Sequence, residues 1–516
     1  MSEQHDSLIR GSKLSPAKQA LLEKWKGNAF KAADVSQIIP KRQEKGPAPL
    51  SFAQQRLWFL DQLVPGSPAY NVPAAVRLTG SLNVATLKRA LDEVIRRHEI
   101  LRTSFSTQEG QPVQVISESV ENRLPVIDLR DLSEQQRQQQ AEEIAREESQ
   151  RAFELSKGPM MRARLVRVGE QEQILVVVIH HIVSDGWSVG IMIKEMAEIY
   201  ERKERGEEVR KEELKLQYAD YAVWQREYLR GEVEERLVGY WKKQLKGVER
   251  GMELGTDRAR PPVQSFRGAL RLFEIDSSLT RGLKEISRRE GVTLFVTMLA
   301  AFKVLLHRYT GQDDIVIGTP AAGRSRVELE GLIGFFVNTL VLRTDLSGDP
   351  SFKELLIRER DVLLDAHAHQ DIPFERLIDE LQVKRDLSRN PMFQIMFIQN
   401  PPNSPINIPN LKLSNVETHS GTTKFDMSLS TTDIGDRLVG SVEYSSDLYD
   451  ESTIERLIEH FENLLAAVVA HPEQRLSNLS MMTGESRRRM LIEWNDTATE
   501  YPNAEGKGLH HLIEAQ

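Results

Sequence analysis

Two adjacent histidines, His180 and His181, are the side chains whose type and spacing best suit chemistry. Asp185 follows His181 by four residues, and Gly186 comes directly after it. An imidazole titrates near neutral pH, so a positioned histidine can accept a proton from an attacking amine or hydroxyl. Successive side chains of a strand point to opposite faces, so only one histidine can serve a given site. The pattern is compatible with acid–base catalysis, and equally with two core histidines whose hydrogen bonds are satisfied.

A second histidine pair shows how much the surroundings matter. His510 and His511 are followed by Leu512, Ile513 and Glu514, with no Asp-Gly pair after them and no apolar run before them. We interpret this pair as incidental. The functional hypothesis therefore concerns the first pair alone, which ends an unbroken apolar run.

Several other mechanisms lack their residues. The chain has no cysteine, which excludes disulfides, thiolate zinc sites, iron–sulfur clusters and cysteine nucleophiles. It has no Gly-x-Ser-x-Gly elbow, no Gly-x-x-x-x-Gly-Lys-[Ser/Thr] phosphate loop and no Gly-x-Gly-x-x-Gly after a strand. No metal is predicted, because neighbouring histidines on a strand diverge. Of the mechanisms considered, acid–base chemistry remains, on substrates that are delivered to the protein.

Composition narrows the class of protein. The chain has 516 residues, a net charge of −8, 40% hydrophobic and 28% charged residues, which is typical of folded globular proteins. The charge balance does not favour nucleic acid as a partner. No run of 18 apolar residues and no apolar segment near the N-terminus is present, so we predict a cytoplasmic protein without a membrane span.

The elements that would position the histidines follow from hydrophobic periodicity. Residues 174–179 form an unbroken apolar, mostly β-branched run, which is typical of a central strand buried on both faces. A half-buried strand over 161–168 precedes it, and a helix from about 188 to 203 follows it. The pair would thus lie where a buried strand ends and a loop begins.

The same alternation of strands and helices occurs twice along the chain. After residue 265, strands are predicted over 270–275, 315–318, 393–398 and 438–444, and helices over 293–309, 352–368 and a closing segment from about residue 454. The helix over 293–309 is apolar almost all round and should be buried. Two α/β sets of about 200 residues each indicate two lobes. We place their boundary in the charged stretch between 203 and 265.

At this point the sequence resembles a known family. His180-His181-x-x-x-Asp185-Gly186 resembles the signature of condensation domains of nonribosomal peptide synthetases, which belong to the chloramphenicol acetyltransferase-like superfamily. Six further segments resemble that family's core motifs in the same order. They are 51–60, 97–105, 218–225, 333–339 ending at Arg343, 369–375 and 385–394.

The resemblance implies a fold and a set of partners. The fold would be α/β, with two chloramphenicol-acetyltransferase-like lobes forming a V-shaped pseudodimer with a central tunnel. Substrates would arrive as thioesters on the phosphopantetheine arms of donor and acceptor peptidyl carrier proteins, and the domain itself would bind no cofactor. The acceptor amine would attack the donor carbonyl. Because the carriers bring the thiols, the missing cysteine fits this chemistry.

The resemblance also implies roles for individual residues. His181 would be the catalytic histidine, as a general base or as a group that positions the amine, and His180 would face away and support the fold. Asp185 would be structural and pair with an arginine, for which Arg343 is the candidate. Gly186 would leave room for the substrate arm and offer its N–H. The residues expected to shape the tunnel or the lobe interface are Arg56, Trp187, Tyr218, Trp224 and Asn338.

Domain boundaries complete the prediction. They are a leader and linker over 1–46, a first lobe over 47–220, a second lobe over 221–480, and a linker with the truncated start of an adenylation domain over 481–516. The last assignment rests on 494–513, which resembles the opening of such a domain. An adjacent adenylation domain is therefore an expected partner.

Related classes stay open as alternatives. A heterocyclization domain would replace the histidine pair with an aspartate-based motif, which argues against that subclass here. An epimerization-type domain keeps the histidines, although the fifth to seventh motifs favour condensation, and they slightly favour an L-configured donor. A non-catalytic recruitment module of the same fold often has a degraded histidine motif. A free-standing acyltransferase that uses a coenzyme A thioester is a further rival.

Overall fold

The structure is a computed structural model that describes most of the chain. The described residues are 38–44, 46–119, 123–207, 212–248, 251–384, 386–402, 408, 410–416, 420–498 and 509–514. The predicted leader therefore lies mainly outside the described residues, as do Arg385 of the seventh motif and much of the adenylation-like end.

Fourteen strands are assigned within these residues. They are β1 Ala48–Pro49, β2 Asn71–Gly80, β3 Thr103–Gln108, β4 Gln111–Ile116, β5 Val126–Asp128, β6 Met161–Gly169, β7 Glu172–His180, β8 Gly268–Ile275, β9 Asp314–Ala321, β10 Asn338–Asp345, β11 Ile395–Asn400, β12 Leu411–Val416, β13 Met427–Asp433 and β14 Leu438–Ser445.

The α-helices of the described residues surround two larger sheets. They are α1 Phe52–Leu63, α2 Val84–Arg97, α3 Glu134–Gln150, α4 Gly186–Glu204, α5 Tyr218–Tyr228, α6 Glu232–Gln244, α7 Ser277–Arg289, α8 Leu294–Thr310, α9 Phe352–Ala368, α10 Phe374–Glu380, α11 Glu451–Ala470, α12 Gly484–Arg488 and α13 Leu509–Glu514. Short 3-10 turns cover Pro68–Tyr70, Glu99–Arg102, His181–Val183, Val327–Leu329 and Leu476–Asn478.

The first lobe is built on a five-stranded sheet in the order β12-β2-β7-β6-β5. β7 lies in its centre, antiparallel to both β2 and β6. Every residue of β7 after Glu172 is buried, so the predicted central strand is confirmed. Helix α4 follows directly after the 3-10 turn at its end, as the sequence predicts. A three-stranded sheet, in the order β1-β4-β3, completes this lobe.

The second lobe is built on a six-stranded sheet in the order β10-β9-β11-β13-β14-β8. β11 runs parallel to β9 and β13, and the other pairs are antiparallel. All residues of α8 from 296 to 306 are buried, which confirms the prediction of a helix that is apolar all round. The mixed α/β architecture, with one large sheet in each lobe, agrees with the predicted fold class.

Several elements differ from the sequence prediction. The charged stretch expected to separate the lobes contains two helices, α5 and α6, and α5 buries most of its residues. Helix α7 and strand β13 were not predicted. Helix α7 has 13 residues and a clear amphipathic pattern, so its signal was present in the sequence, whereas strand β13 has only seven residues.

Strand β12 crosses from one lobe to the other. It lies between β11 and β13 in sequence, yet it pairs with β2 of the first sheet, with Leu411 opposite Gly80 and Val416 opposite Ala75. Its partner is more than 300 residues away, so periodicity alone could not reveal the pairing. The division at residue 220 stays a prediction, and this strand shows that the second part of the chain completes the first sheet.

Two negative observations apply to the described part of the chain. No single helix there is both long and apolar enough to cross a membrane, although α7 and α8, bent by 107° between them, pass together by length and composition. Nor do its histidine, aspartate and glutamate side chains form a group of three that could hold a metal ion.

Candidate active site at the lobe interface

His180 is a buried side chain that supports the turn at the end of β7. Its Nδ1 accepts a hydrogen bond from the Ile182 N–H at 3.2 Å. Its ring packs against Phe153 and Tyr70, with ring centroids 5.9 and 6.4 Å away. Burial, together with the charges of Lys424 and Arg162, lowers the pKa of His180 to about 3. A neutral ring enclosed in this way serves the fold, which agrees with the supporting role expected from the resemblance.

His181 begins the 3-10 turn and is only partly buried. Its Nδ1 lies 2.8 Å from the carbonyl oxygen of Ser184. A carbonyl oxygen only accepts hydrogen bonds, so Nδ1 carries the proton of the neutral ring and Nε2 keeps its lone pair. The ring also packs against Phe335 of the second lobe, with centroids 4.9 Å apart. The backbone therefore selects the tautomer that a proton acceptor needs.

The electrostatic surroundings keep this ring neutral. Removal from water is the main cause that lowers the pKa of His181 well below its usual value, and the charge of Lys424 adds to it. A depressed pKa keeps Nε2 unprotonated at neutral pH. The side chain thus presents an unprotonated ring nitrogen at the interface of the two lobes.

Asp185 is buried and fully hydrogen-bonded. It is the N-cap of α4, and its Oδ1 accepts from the Ser188 N–H at 2.8 Å. Oδ1 also accepts from Arg324 Nη2 at 3.1 Å, and Oδ2 accepts from the Phe336 N–H at 3.0 Å. Only 4% of the aspartate side chain and 1% of the arginine side chain are exposed. The carboxylate therefore joins the first turn of α4 to the second lobe.

The arginine that pairs with Asp185 is Arg324, so the expectation of Arg343 is wrong. Arg343 forms an ion pair with Asp314 at 2.8 Å, on the neighbouring strand of the second sheet. Five residues separate Asn338 from Arg343 on β10, a distance of about 17 Å at roughly 3.3 Å per residue. Asp185 instead contacts Phe336, which lies just before the other end of β10. Arg324 lies in the loop after β9, and no motif in the sequence distinguished it.

Gly186 begins α4 and faces open space. No heavy atom lies within 4 Å of the position that a Cβ would take. As the first residue of the helix, its N–H has no acceptor within the helix. Both observations are compatible with the predicted room for a substrate arm.

Trp187 and Tyr218 connect the two lobes. Trp187 is 49% exposed, and its Nε1 donates to the Glu330 carbonyl at 3.0 Å. The Tyr218 hydroxyl donates to the Phe335 carbonyl at 2.7 Å, and it lies 2.8 Å from Ser51 Oγ. These contacts place both side chains at the lobe interface, where Tyr218 supports the segment that packs on His181.

Arg56 and Asn338 organise the sixth motif. Arg56 Nη1 pairs with Glu375 at 3.0 Å across the lobes. The Asn338 amide donates to the carbonyls of Gln370 and Ile372, both at 2.7 Å, and accepts from the Phe374 N–H at 3.0 Å. Asn338 therefore holds the loop before α10, while Arg56 connects the start of that helix to α1.

Trp224 lines a small cavity of about 40 Å³ between the lobes. Its ring stacks on Tyr228 with centroids 4.8 Å apart, and the Arg326 guanidinium lies 4.6 Å from the Trp224 ring. Its Nε1 is buried and has no hydrogen-bond partner among the described residues. The interface position expected for Trp224 agrees with this geometry.

Lys424 is a site residue that sequence reasoning missed. It lies in the segment before β13, and its Nζ is 5.3 Å from the centroid of the Tyr70 ring in the first lobe. The segment Thr423-Lys424-Phe425-Asp426 has no recognised chemical pattern. Only the packing of the second lobe against the first brings this charge near the histidines.

Fold and site together define a class of protein, and comparison with protein families agrees. The family model described as "Condensation domain" matches residues 44–491. The chain belongs to this family, as the motifs predict.

The relatives with curated names belong to peptide synthetases. One component of the linear gramicidin synthase of Brevibacillus parabrevis is 47% identical over 482 residues, which cover 93% of this chain and 9% of that protein. Chondramide synthase cmdD of Chondromyces crocatus is 44% identical over 467 residues, covering 90% of this chain and 12% of that protein. The chain is thus similar to about a tenth of each relative, and it is a condensation domain of the nonribosomal peptide synthetase type.

Solved structures show the same fold. The X-domain from teicoplanin biosynthesis has a TM-score of 0.79 at 28% identity. The match covers 86% of this chain and 100% of the X-domain chain. A four-domain nonribosomal peptide synthetase bound to AMP and glycine has a TM-score of 0.81 at 23% identity, with 92% of this chain and 37% of that one covered. The second similarity concerns the fold alone.

Proposed function

We propose that this domain forms a peptide bond between two carrier-bound substrates. The α-amine of an acceptor aminoacyl thioester attacks the carbonyl of a donor aminoacyl or peptidyl thioester. The observation that carries the proposal is the state of His181: its tautomer is set by the Ser184 carbonyl, its ring is neutral, and its Nε2 is available at the lobe interface. A degraded or protonated histidine would not support this reaction.

The proposed steps balance in protons and bonds. As the amine nitrogen bonds to the carbonyl carbon, His181 Nε2 accepts a proton from that nitrogen. The intermediate then expels the donor thiol, the C–S bond breaks, and the proton passes to the departing sulfur. The peptide remains on the acceptor thioester. No covalent bond to the protein forms, which fits a chain without cysteine.

The proposed substrates and partners follow from the family. Donor and acceptor peptidyl carrier proteins would present thioesters on phosphopantetheine arms, and an adenylation domain would load the acceptor. Support comes from the relatives, which are named as linear gramicidin synthase and chondramide synthase and are far longer than this chain. The domain would need no cofactor of its own.

Purified carriers provide the test. Donor and acceptor carriers loaded with a panel of amino acids are mixed with the protein, and the carrier-bound product is followed by mass spectrometry. His181→Ala should lower the rate by roughly 10²–10⁴ because a positioned acid–base group contributes that much. His471→Ala, at an exposed histidine, is the matched control and should react like the parent. Equal rates for His181→Ala and the parent would contradict the assignment.

One comparison favours a second candidate function. A solved complex contains the X-domain and OxyB from teicoplanin biosynthesis, and this chain resembles that X-domain at 29% identity with a TM-score of 0.77. A recruitment module would make no product with any loaded pair. An epimerization-type domain would instead change the configuration of the donor residue, which chiral analysis of the released amino acid detects.

A further inference from the structure

Lys424 extends from the second lobe toward the histidine motif of the first. Its Nζ lies 5.3 Å from the centroid of the Tyr70 ring, and that ring lies 6.4 Å from the ring of His180. Tyr70 ends a 3-10 turn directly before β2, which pairs with β7. The ammonium is therefore placed across the lobe interface, near the end of β7.

The backbone of Lys424 is held firmly. Its carbonyl oxygen accepts hydrogen bonds from Asn390 Nδ2 at 2.6 Å and from Gln264 Nε2 at 3.1 Å. On one side, the Thr423 N–H donates to the Phe266 carbonyl at 2.8 Å. On the other side, Asp426 forms an ion pair with Arg260. Because folding already fixes this backbone, only the rotamer entropy of the side chain remains to be lost when Lys424 points at one target.

Asn390 belongs to the seventh motif, so its hydrogen bond to the Lys424 carbonyl gives that motif a structural role. Its side-chain amide donates to the Lys424 carbonyl, while its own carbonyl accepts from Gln394 Nε2 at 2.8 Å. The motif lies far from His181 in sequence. Its hydrogen bonds place the segment that carries the ammonium.

The charge of Lys424 is not neutralised by a bound carboxylate. Within the described residues its Nζ makes no hydrogen bond, and Glu443 is the acidic group that acts on it from its surroundings. The other cation nearby, Arg56, is already paired with Glu375. Burial lowers the pKa of Lys424, as expected for an ammonium removed from water. An unpaired charge in such a place is unfavourable for the fold and is typical of functional sites.

We propose that Lys424 supplies the positive charge that stabilises the donor carbonyl oxygen during amine attack, while His181 accepts the proton. The inference rests on the proposed function. Addition of the neutral amine places a negative charge on that oxygen and a positive charge on the nitrogen. His181 Nε2 removes the proton from nitrogen, and the ammonium of Lys424 faces the oxygen anion until the thiolate leaves.

Neutral variants of Lys424 test the role in the carrier assay. Lys424→Met keeps most of the apolar stem and removes the charge, and Lys412→Met removes an exposed lysine of the neighbouring strand β12 as the matched control. With Lys424→Met, kcat should fall by about 10²–10³, as on loss of one group that stabilises an oxyanion, while KM for both loaded carriers changes less than twofold. Lys424→Arg should retain more activity than Lys424→Met, and Lys412→Met should match the parent.

The pH profile separates this role from an effect on His181 alone. If Lys424 stabilises the oxygen anion, the highest kcat that Lys424→Met reaches between pH 6 and pH 9 stays below the highest kcat of the parent. Equal maxima, with the profile of the variant only displaced to higher pH, would overturn the proposal, because the lysine would then act only by lowering the pKa of His181. A parent-like kcat, or a change confined to KM, would also overturn it. If Lys424→Met does not fold, Lys424→Gln must show the same loss. A parent that makes no peptide contradicts the proposed function itself.

Discussion

The two lobes end a hairpin with the same strand–turn–helix arrangement, yet only one of these two ends carries histidines. In the first lobe the hairpin β6–β7 leads through a turn into α4, whose N-cap is Asp185. In the second lobe the hairpin β13–β14 leads through a turn into α11, whose N-cap is Asp450. In both, the aspartate lies five residues after the last residue of the strand, which is His180 in one lobe and Ser445 in the other.

The difference lies in the side chains and in what binds each turn. His180 and His181 correspond to Ser445 and Ser446, so the second turn has no group that titrates near neutral pH. The first turn receives Arg324 from the opposite lobe. The second is bound within its own lobe by Arg258, which forms an ion pair with Asp450 and donates to the Ser446 carbonyl at 3.0 Å. The same strand–turn–helix arrangement thus lies at the lobe interface in the first lobe and on the surface in the second.

The largest expected difference concerns the two capping aspartates. Asp185→Ala removes one member of a buried ion pair and should lower the free energy of unfolding by about 3–5 kcal/mol. Asp450→Ala removes a pair whose side chains are 49% and 51% exposed, so its cost should stay below about 1 kcal/mol. Urea unfolding followed by circular dichroism measures both. Equal losses would show that the two turns are not stabilised differently.

A smaller difference should appear in the dependence of stability on pH. Burial depresses the pKa of His180 from 6.5 to about 3 in the folded state, so acid protonates the unfolded chain first. Its contribution is fully present above pH 6.5 and declines as the pH falls between these two values. Between pH 7 and pH 5 the parent should lose about 2 kcal/mol more than His180→Phe.

Urea unfolding of both proteins at the two pH values isolates this contribution. The hydrogen bond lost from Ile182 affects His180→Phe equally at both, so it cancels in the comparison. Ser445→Ala, the counterpart in the second lobe, should follow the pH dependence of the parent. An identical pH dependence for His180→Phe and the parent would mean that His180 is accessible to protons in the folded state.

The smallest expected effect tests whether Arg324 rather than Arg343 is the partner of Asp185. Arg343 pairs with Asp314 on the surface of the second lobe, so Arg343→Met should cost about 1 kcal/mol or less and leave peptide formation near the parent rate. Arg324→Met leaves Asp185 buried without its partner and should be far less stable. If Arg343→Met were the more damaging change, the pairing of Asp185 with Arg324 would be contradicted.

Local patterns revealed much of the fold. The apolar run before His180 identified β7, and helical periodicity identified α4, α8 and α9, because each of these elements packs against the core of its own lobe. The pairing of β12 with β2 depends on a contact between residues more than 300 positions apart. No local pattern encodes such a contact, so the crossover of the chain was not predicted.

Among the site residues, His180, His181 and Asp185 were found from one short motif, while Arg324 and Lys424 were not. The first three share one strand, turn and helix, and their spacing is visible in the chain. Arg324 and Lys424 come from loops of the second lobe, where an isolated cation has no distinguishing pattern. The expectation of Arg343 was wrong for the same reason, since a motif does not show which end of its strand faces the aspartate.

The sequence by itself determined the family, the histidine pair of its signature motif and the α/β character of the lobes. These features depend on residue types and periodicities within short segments. Only the tertiary structure decided which arginine neutralises Asp185, that the Ser184 carbonyl leaves Nε2 of His181 free, and that Lys424 lies beside the Tyr70 ring of the first lobe. Charges act through distance in space and through exclusion of water, and both arise only when the second lobe packs against the first.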